Sequence, residues 1–237
     1  MTLKPFFTYF GGKWRAAPHY PAPTHEHIVE PFAGAAGYSL RYASRMVTLV
    51  ERNPKIAAVW RYLLAVRSSE VLSLPLVFDS VDDLTAVSEE GRWLIGLWLN
   101  KGVSAPCKTP SRWMRQGAHA NSFWGHAIRN RVASQVDAIR HWRLIEGDYK
   151  DAPDATATWF IDPPYEKAGV NYPSRLQAHE YADLAAWCRT RRGQVMVCEA
   201  DGAAWLPFRP FRVIKAMESS HGGKRSHEVL WTNTEAT

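Results

Sequence analysis

Short apolar runs separated by polar, turn-forming residues set the rhythm of this chain. Those at His27–Phe32, Met46–Glu51, Arg143–Asp148, Thr158–Asp162, Gln194–Glu199, Phe211–Met217 and His227–Thr232 have the length and the β-branched or aromatic content of buried strands. Between some of them the apolar spacing turns helical. Behind Asn53, an N-cap type, and Pro54, a first-turn type, Ile56, Trp60, Leu63 and Leu64 fall on one face. Ile128, Val132, Val136 and Ile139 make a second stripe. Ala178–Thr190 reads as a third helix, closed by Arg189, Arg191, Arg192 and then Gly193.

Alternation of strand and helix predicts an α/β fold, a mostly parallel sheet with helices on both faces. The rhythm breaks from about Ser68 to Arg140, where no strand pattern occurs. The predicted organisation is one domain built from residues 1–67 and 141–237, interrupted by an inserted, mainly helical region at 68–140. No internal repeat or low-complexity tract is present.

Composition narrows the class. With 237 residues, 46% hydrophobic and 22% charged, the chain has enough apolar mass for one sizeable core. No apolar run reaches the roughly 18 residues of a membrane span. Cys107, Cys188 and Cys198 are odd in number and lack metal-ligand spacing. They argue against a disulfide scaffold or zinc ribbon and fit a reducing cytoplasm, as does a first segment, Met1–Phe6, without secretory pattern. A cytoplasmic protein is expected, with a monomer favoured. His19, His25 and His27 read as turn or surface residues rather than ligands, and no metal is expected.

Charge is unevenly placed. Of 29 Lys and Arg, seven lie between Arg92 and Arg131 with no acidic residue among them, so the rest of the chain carries 22 basic against 23 acidic groups. That stretch contains Lys101, Lys108, Arg112, Arg115 and Arg129, interleaved with Trp93, Trp98, Trp113, Phe123 and Trp124. Cations among aromatic rings suit a polyanion with flat faces to stack on, which is nucleic acid. A solvated basic face over core tryptophans is the other reading, and both stand at this point.

Candidate chemistry clusters at predicted strand ends. Asp162-Pro163-Pro164-Tyr165 follows the run Thr158–Ile161. In an open parallel sheet, ligands bind outside the carboxyl ends of the strands. A rigid Pro-Pro turn there presents a carboxylate, a carbonyl and an aromatic ring, which suits an exocyclic amino group on a planar base. A surface turn with a strand-capping Asp is the alternative. Glu30–Gly37 (Glu-Pro-Phe-Ala-Gly-Ala-Ala-Gly) ends one strand, and its glycines allow close backbone approach to a ligand. Glu51, 17 residues after Gly34, ends the next strand and suits a ribose, or is an exposed strand-end charge. Gly11-Gly12-Lys13 offers an ammonium beside a flexible backbone without phosphate-loop spacing. Gly147-Asp148-Tyr149 puts a further carboxylate at a strand end.

In this order these elements resemble the Dam-type DNA adenine-N6 methyltransferases, the alpha-arranged (D12) branch of the S-adenosylmethionine-dependent amino-methyltransferases. The resemblance runs from Tyr9-Phe10-Gly11-Gly12-Lys13 through Glu30-Pro31-Phe32-Ala33-Gly34 and Asp162-Pro163-Pro164-Tyr165 to Glu228-Val229-Leu230-Trp231-Thr232-Asn233. It implies a Rossmann-like methyltransferase sheet with an inserted target-recognition region where the basic stretch sits, and double-stranded DNA as partner. It implies that Tyr9, Gly11, Gly12 and Lys13 contact the methionine part of the cofactor, that Phe32 and Gly34 line its pocket, that Glu51 holds the ribose and that Asp148 faces the adenine. Asp162 and the Pro163 carbonyl then accept from the target amino group, and Tyr165 stacks on the flipped base. Ala36 stands where the family usually has a glycine, and Leu99-Asn100-Lys101-Gly102 only faintly echoes its asparagine-bearing hairpin, so no recognition sequence carries over. A lone enzyme of this kind can belong to a restriction–modification system or to a phage. Cytosine-N4 or RNA amino-methylation and a non-catalytic DNA-binding relative are the alternatives. A cytosine-C5 enzyme built on Pro106-Cys107 is disfavoured, because that Cys lies in the basic region rather than at a strand end.

Overall fold

The computed structural model describes residues 2–117, 120–167, 176–215 and 225–233. Seven strands, β1 (His27–Glu30), β2 (Met46–Glu51), β3 (Arg143–Glu146), β4 (Thr156–Ile161), β5 (Arg192–Ala200), β6 (Arg209–Lys215) and β7 (Arg225–Thr232), form one sheet in the order β3-β2-β1-β4-β5-β7-β6. The first five are parallel, while β7 runs antiparallel to both β5 and β6. This is the Rossmann-like α/β sheet expected from the sequence. Strand order reverses between β1 and β4, so a topological switch point opens at their carboxyl ends.

Strand side chains alternate between two cores, as the period of two requires. Ile28, Phe160, Met196 and Cys198 join one core; Val29, Trp159, Ile161, Val195 and Val197 join the other. Helix α1 (Pro54–Ala65) buries Ile56, Val59, Trp60 and Leu63 on the first face. Its N-cap is Asn53, whose side chain accepts from Lys55 N, and Pro54 occupies the first turn, where its missing donor costs nothing. Helix α6 (Glu180–Arg189) covers the second face with Tyr181, Leu184, Ala185 and Cys188.

Between β2 and β3 the chain makes a long excursion. After α1 come α2 (Ser68–Leu72), α3 (Glu89–Gly96), α4 (Arg112–Arg115) and α5 (His126–Ala133), with no strand among the described residues. Val71, Leu94, Ile95, Trp98, Leu99, Trp124, Ile128 and Val132 from this region pack in the same core as the first sheet face. Region 68–140 is thus a layer laid over α1, not a body with a core of its own.

Element boundaries shift for identifiable reasons. β1 stops at Glu30 because Pro31 cannot donate to the ladder. β3 stops at Glu146 because Asp148 caps the turn at Tyr149–Asp151, accepting from Lys150 N. The stripe at 128–139 splits into α5 and the turn Val136–Ile139, because Gln135 between them bonds Lys4 N and Lys4 O. Residues 216–217 of the expected sixth strand lie outside the described residues, as do residues 221–224 of His221–Arg225, which the sequence predicts as a loop before the last strand; Arg225 instead opens β7. No helix among the described residues is long and apolar enough to cross a membrane.

Candidate active site

A cleft of about 850 Å³, mouth included, opens at the switch point. Tyr9, Gly11, Gly12, Lys13, Phe32, Gly34, Glu51, Asp148 and Asp162 all line it. These are the residues expected to hold the cofactor, drawn from the N-terminal segment and the ends of β1, β2, β3 and β4.

Each wall has a local cause. The loop after β1 turns through the left-handed region at Gly34 (φ 46°) and Ala36 (φ 50°). Alanine at φ 50° costs on the order of 1 kcal/mol, so Ala36 holds its turn at a cost in stability. Glu51 closes the loop from below: its Oε2 accepts from Gly34 N at 2.9 Å and its Oε1 from Asn53 N at 2.8 Å. Trp60 Nε1 donates to Gly34 O at 2.7 Å, tying the loop to the core. Glu30, buried behind it, accepts from Ser39 N at 2.7 Å. Phe32 stacks on Tyr149 at 5.6 Å between ring centroids. Asp148 Oδ2 lies 3.6 Å from Arg52 Nη1. Glu51 and Asp148 are carboxylates at successive strand ends, and the loop at Gly34 lets backbone approach between them. That donor set fits a nucleoside with ribose hydroxyls and an exocyclic amine, so a nucleoside-bearing cofactor suits the residues present.

The far wall is the Asp162–Tyr165 turn, and three elements lock it. Tyr181 Oη on α6 donates to Pro164 O at 2.7 Å, Glu166 N donates to Glu199 Oε2 on β5 at 3.1 Å, and Tyr165 Oη donates to Glu228 Oε1 on β7 at 2.8 Å. Asp162 and Pro164 line the cleft. Pro163 is buried, and Tyr165 stands half-buried behind Asp162 rather than on the lining. Lys13 Nζ sits 4.6 Å from the Tyr165 ring centroid, 2.8 Å from Asp162 Oδ1 and 3.4 Å from Glu228 Oε1. The sequence placed Lys13 against the cofactor; here its ammonium also pairs with the carboxylate expected to meet the target base.

Burial governs the electrostatics. Desolvation pushes the carboxyl of Glu51 up to about 7 against the backbone bonds from Asn53, Gly34 and Arg52. It pushes Glu30 up to about 8 and Asp162 up to about 6, the latter against the pull of Lys13. Burial disfavours the Lys13 ammonium, yet Asp162 and Glu228 outweigh it and hold its pKa above the ordinary value. A carboxyl raised in the folded state binds protons that the unfolded chain has released, so its contribution is lost as pH rises through the folded pKa. Unfolding free energy is therefore expected to fall by on the order of a few kcal/mol between about pH 5 and about pH 8. Urea titrations at the two pH values check this. Glu30→Gln is expected to flatten the dependence, and an equal slope in the variant would count against Glu30 as a source.

The basic stretch divides in two. Arg129 Nη1 donates to Leu74 O, and Arg131 donates to Pro5 O while lying 5.1 Å from the Trp98 ring. Trp98, Phe123 and Trp124 are buried. For these the structural reading applies, and Arg129 leaves the set of open cations because its guanidinium is committed to backbone. Lys108 pairs with Asp82 at the surface. Lys101 is exposed beside Phe123, and α4 presents Arg112, Trp113 and Arg115 outward, Trp113 at 64% exposure.

The sequence reading missed Glu228 and Glu199 as site residues. Glu199 ends the apolar run Val195–Cys198 of β5, an unexplained charge that was an available signal, whereas Glu228 follows Arg225, Ser226 and His227 on β7 and carried none. No group of three or more His, Cys, Asp or Glu among the described residues is placed to hold a metal ion.

No family description and no curated protein matches the chain. Among solved structures, a conserved hypothetical protein of Streptococcus pyogenes is similar at 13% identity, over 90% of this chain and 88% of the other, with a TM-score of 0.36. The rRNA methyltransferase AviRa from Streptomyces viridochromogenes is similar at 15% identity, over 97% and 87%, with a TM-score of 0.40.

Proposed function

We propose that this protein transfers a methyl group from S-adenosylmethionine to the N6 amino group of adenine in DNA. One observation carries the reading: Asp162, on a turn locked from three sides, faces the same cleft as the Glu51-braced Gly34 loop. A nucleoside site and an amino-group acceptor thus share one cleft at the switch point.

Adenine's amino nitrogen is a poor nucleophile because its lone pair is delocalised into the ring. A carboxylate accepting from one of its N–H groups, with the Pro163 carbonyl as second acceptor, favours a pyramidal nitrogen with a localised lone pair. The fixed negative charge of Asp162 also stabilises the cation that develops at nitrogen. When bound, S-adenosylmethionine supplies a methyl group already activated as a sulfonium. Glu51, Asp148, Phe32 and the loop at Gly34 hold the donor; Lys13 and Tyr9 border its place from the N-terminal side. Extruding a base costs a few kcal/mol, which phosphate contacts offset; Tyr165, expected to stack on the base, stands behind Asp162 off the cleft lining and is not assigned that role.

Lys101, Arg112, Trp113 and Arg115 are the surface assigned to DNA. Replacing Arg112 and Arg115 by Ala is expected to weaken binding and lower the slope of log K against log salt by about 1.8, at about 0.9 per phosphate contact. An unchanged slope removes α4 from the interface. The function itself is tested by incubating unmethylated genomic DNA, and separately RNA, with cofactor and mapping modified bases. N6-methyladenine in DNA is the expected product; N4-methylcytosine, methylated RNA or no modified base would each refute the proposal.

A further inference from the structure

Glu228 is buried at 2% exposure, on a strand the cleft does not include. Its Oε1 accepts from Tyr165 Oη and lies 3.4 Å from the Lys13 ammonium. Its Oε2 is buried and has no hydrogen-bond partner among the described residues. An orphaned carboxylate oxygen in a core is costly, and such groups persist where function uses them. Lys13 sits between this carboxylate and Asp162, whose Oδ1 is 2.8 Å away but likewise lacks an aligned hydrogen bond.

We propose that Glu228 is a positioning residue that gives the Lys13 ammonium a second seat, so that Lys13 can leave Asp162 when the target amino group arrives. This rests on the methyl-transfer reading above. With Lys13, Asp162 and Glu228 all charged, the cluster carries one surplus negative charge. A cation developing at the target nitrogen then completes neutrality. Without Glu228, Lys13 and Asp162 already form a neutral pair, and the carboxylate is held by its own lysine. The orphaned Oε2 is the acceptor that the shifted ammonium fills. Tyr165 is fixed by the same side chain, and its ring lies beside the lysine. Other titratable groups surround the cluster: Cys198 and Glu199 on β5, Tyr20 beside the N-terminal turns and Glu30 at the end of β1.

The decisive variant is Glu228→Gln, which keeps the shape and an acceptor for Tyr165 but removes the charge. Expected is a roughly tenfold or greater loss of kcat, the range seen when a partner behind a ligating group is removed. The KM values for DNA and cofactor are expected to stay near native. The acid limb of the kcat profile is expected to move to lower pH, because a like charge beside Asp162 is gone. A native kcat, or an acid limb that does not move, overturns the proposal. Glu228→Asp, which restores the charge, is expected to recover activity over the Gln variant; no recovery also overturns it. A second measurement needs neither turnover nor a variant. The Lys13 Nζ resonance of the native protein, followed by nitrogen NMR, is expected to shift when cofactor and target DNA are both bound, as the ammonium moves from Asp162 towards Glu228. An unchanged resonance overturns the inference even if Glu228→Gln fails to fold. A shift in a protein that methylates nothing would leave the cluster intact and sink the methyl-transfer reading instead.

Discussion

Asp162→Ala is expected to reduce methyl transfer by at least about a thousandfold while DNA binding persists, in the upper range for removing a preorganised electrostatic group. The side chain is the carboxylate at the end of β4, in the cleft, on a turn held at Pro164 O by Tyr181, at Glu166 N by Glu199 and at the Tyr165 hydroxyl by Glu228. Its removal therefore leaves the turn in place. Lys13 keeps Glu228 at 3.4 Å, so no unpaired ammonium is created. Desolvation already pushes the Asp162 carboxyl up to about 6, which marks an ionised group held in a place that disfavours its charge. Asp162→Asn, nearly isosteric, is expected to be equally inactive, yet no easier to unfold in urea at about pH 8 than the native protein. Single-turnover transfer from labelled cofactor, read beside DNA binding and the urea midpoint, separates chemistry from folding. Transfer at the native rate by either variant would refute the role of Asp162, and loss of DNA binding together with a lowered midpoint would mean that the residue is structural.

Gly37→Ala is expected to have the largest effect of any single methyl group added to this protein's site. A Cβ at Gly37 would stand 2.4 Å from Trp14 N, 2.8 Å from Lys13 C and 2.9 Å from Lys13 N. All three are backbone atoms, so no rotamer relieves the clash, and the segment carrying Lys13 must move off the loop. Overpacking costs about 1–3 kcal/mol and more where the backbone must yield. The displacement also draws Lys13 from Asp162 and Glu228, leaving buried carboxylates without their cation. Expected are an unfolding free energy in urea lowered by that amount and cofactor affinity reduced by at least about tenfold, the equivalent of 1.4 kcal/mol. Gly125→Ala is the control: its Cβ would meet only Phe123 O at 3.9 Å, and as Gly125 is the N-cap of α5 a cost of up to about 1 kcal/mol, with native cofactor affinity, is expected. Native stability and native calorimetric affinity in Gly37→Ala would refute the close approach.

The cleft was legible because strand ends are legible. Glu30, Glu51, Asp148 and Asp162 each follow an apolar run, and a parallel sheet collects the carboxyl ends of its strands on one edge. Lys13 was found for its Gly-Gly turn, but its pairing with Asp162 and Glu228 joins residues far apart in sequence, and no spacing encodes it. The basic stretch was half legible. Charge counting could not tell Arg112, exposed on α4, from Arg129, bonded to Leu74 O, because both are arginines among apolar neighbours.

Local chemistry alone therefore fixed the α/β alternation, the strand-end acids and the glycine-rich turn after β1, since each depends on a residue and its near neighbours. Tertiary packing decided that residues 68–140 share the sheet's own core, that Glu228 reaches Tyr165 and Lys13, and which cations remain open to solvent. Those outcomes depend on which side chains meet after the chain has closed on itself, and burial of a charge becomes costly, and so informative, only there.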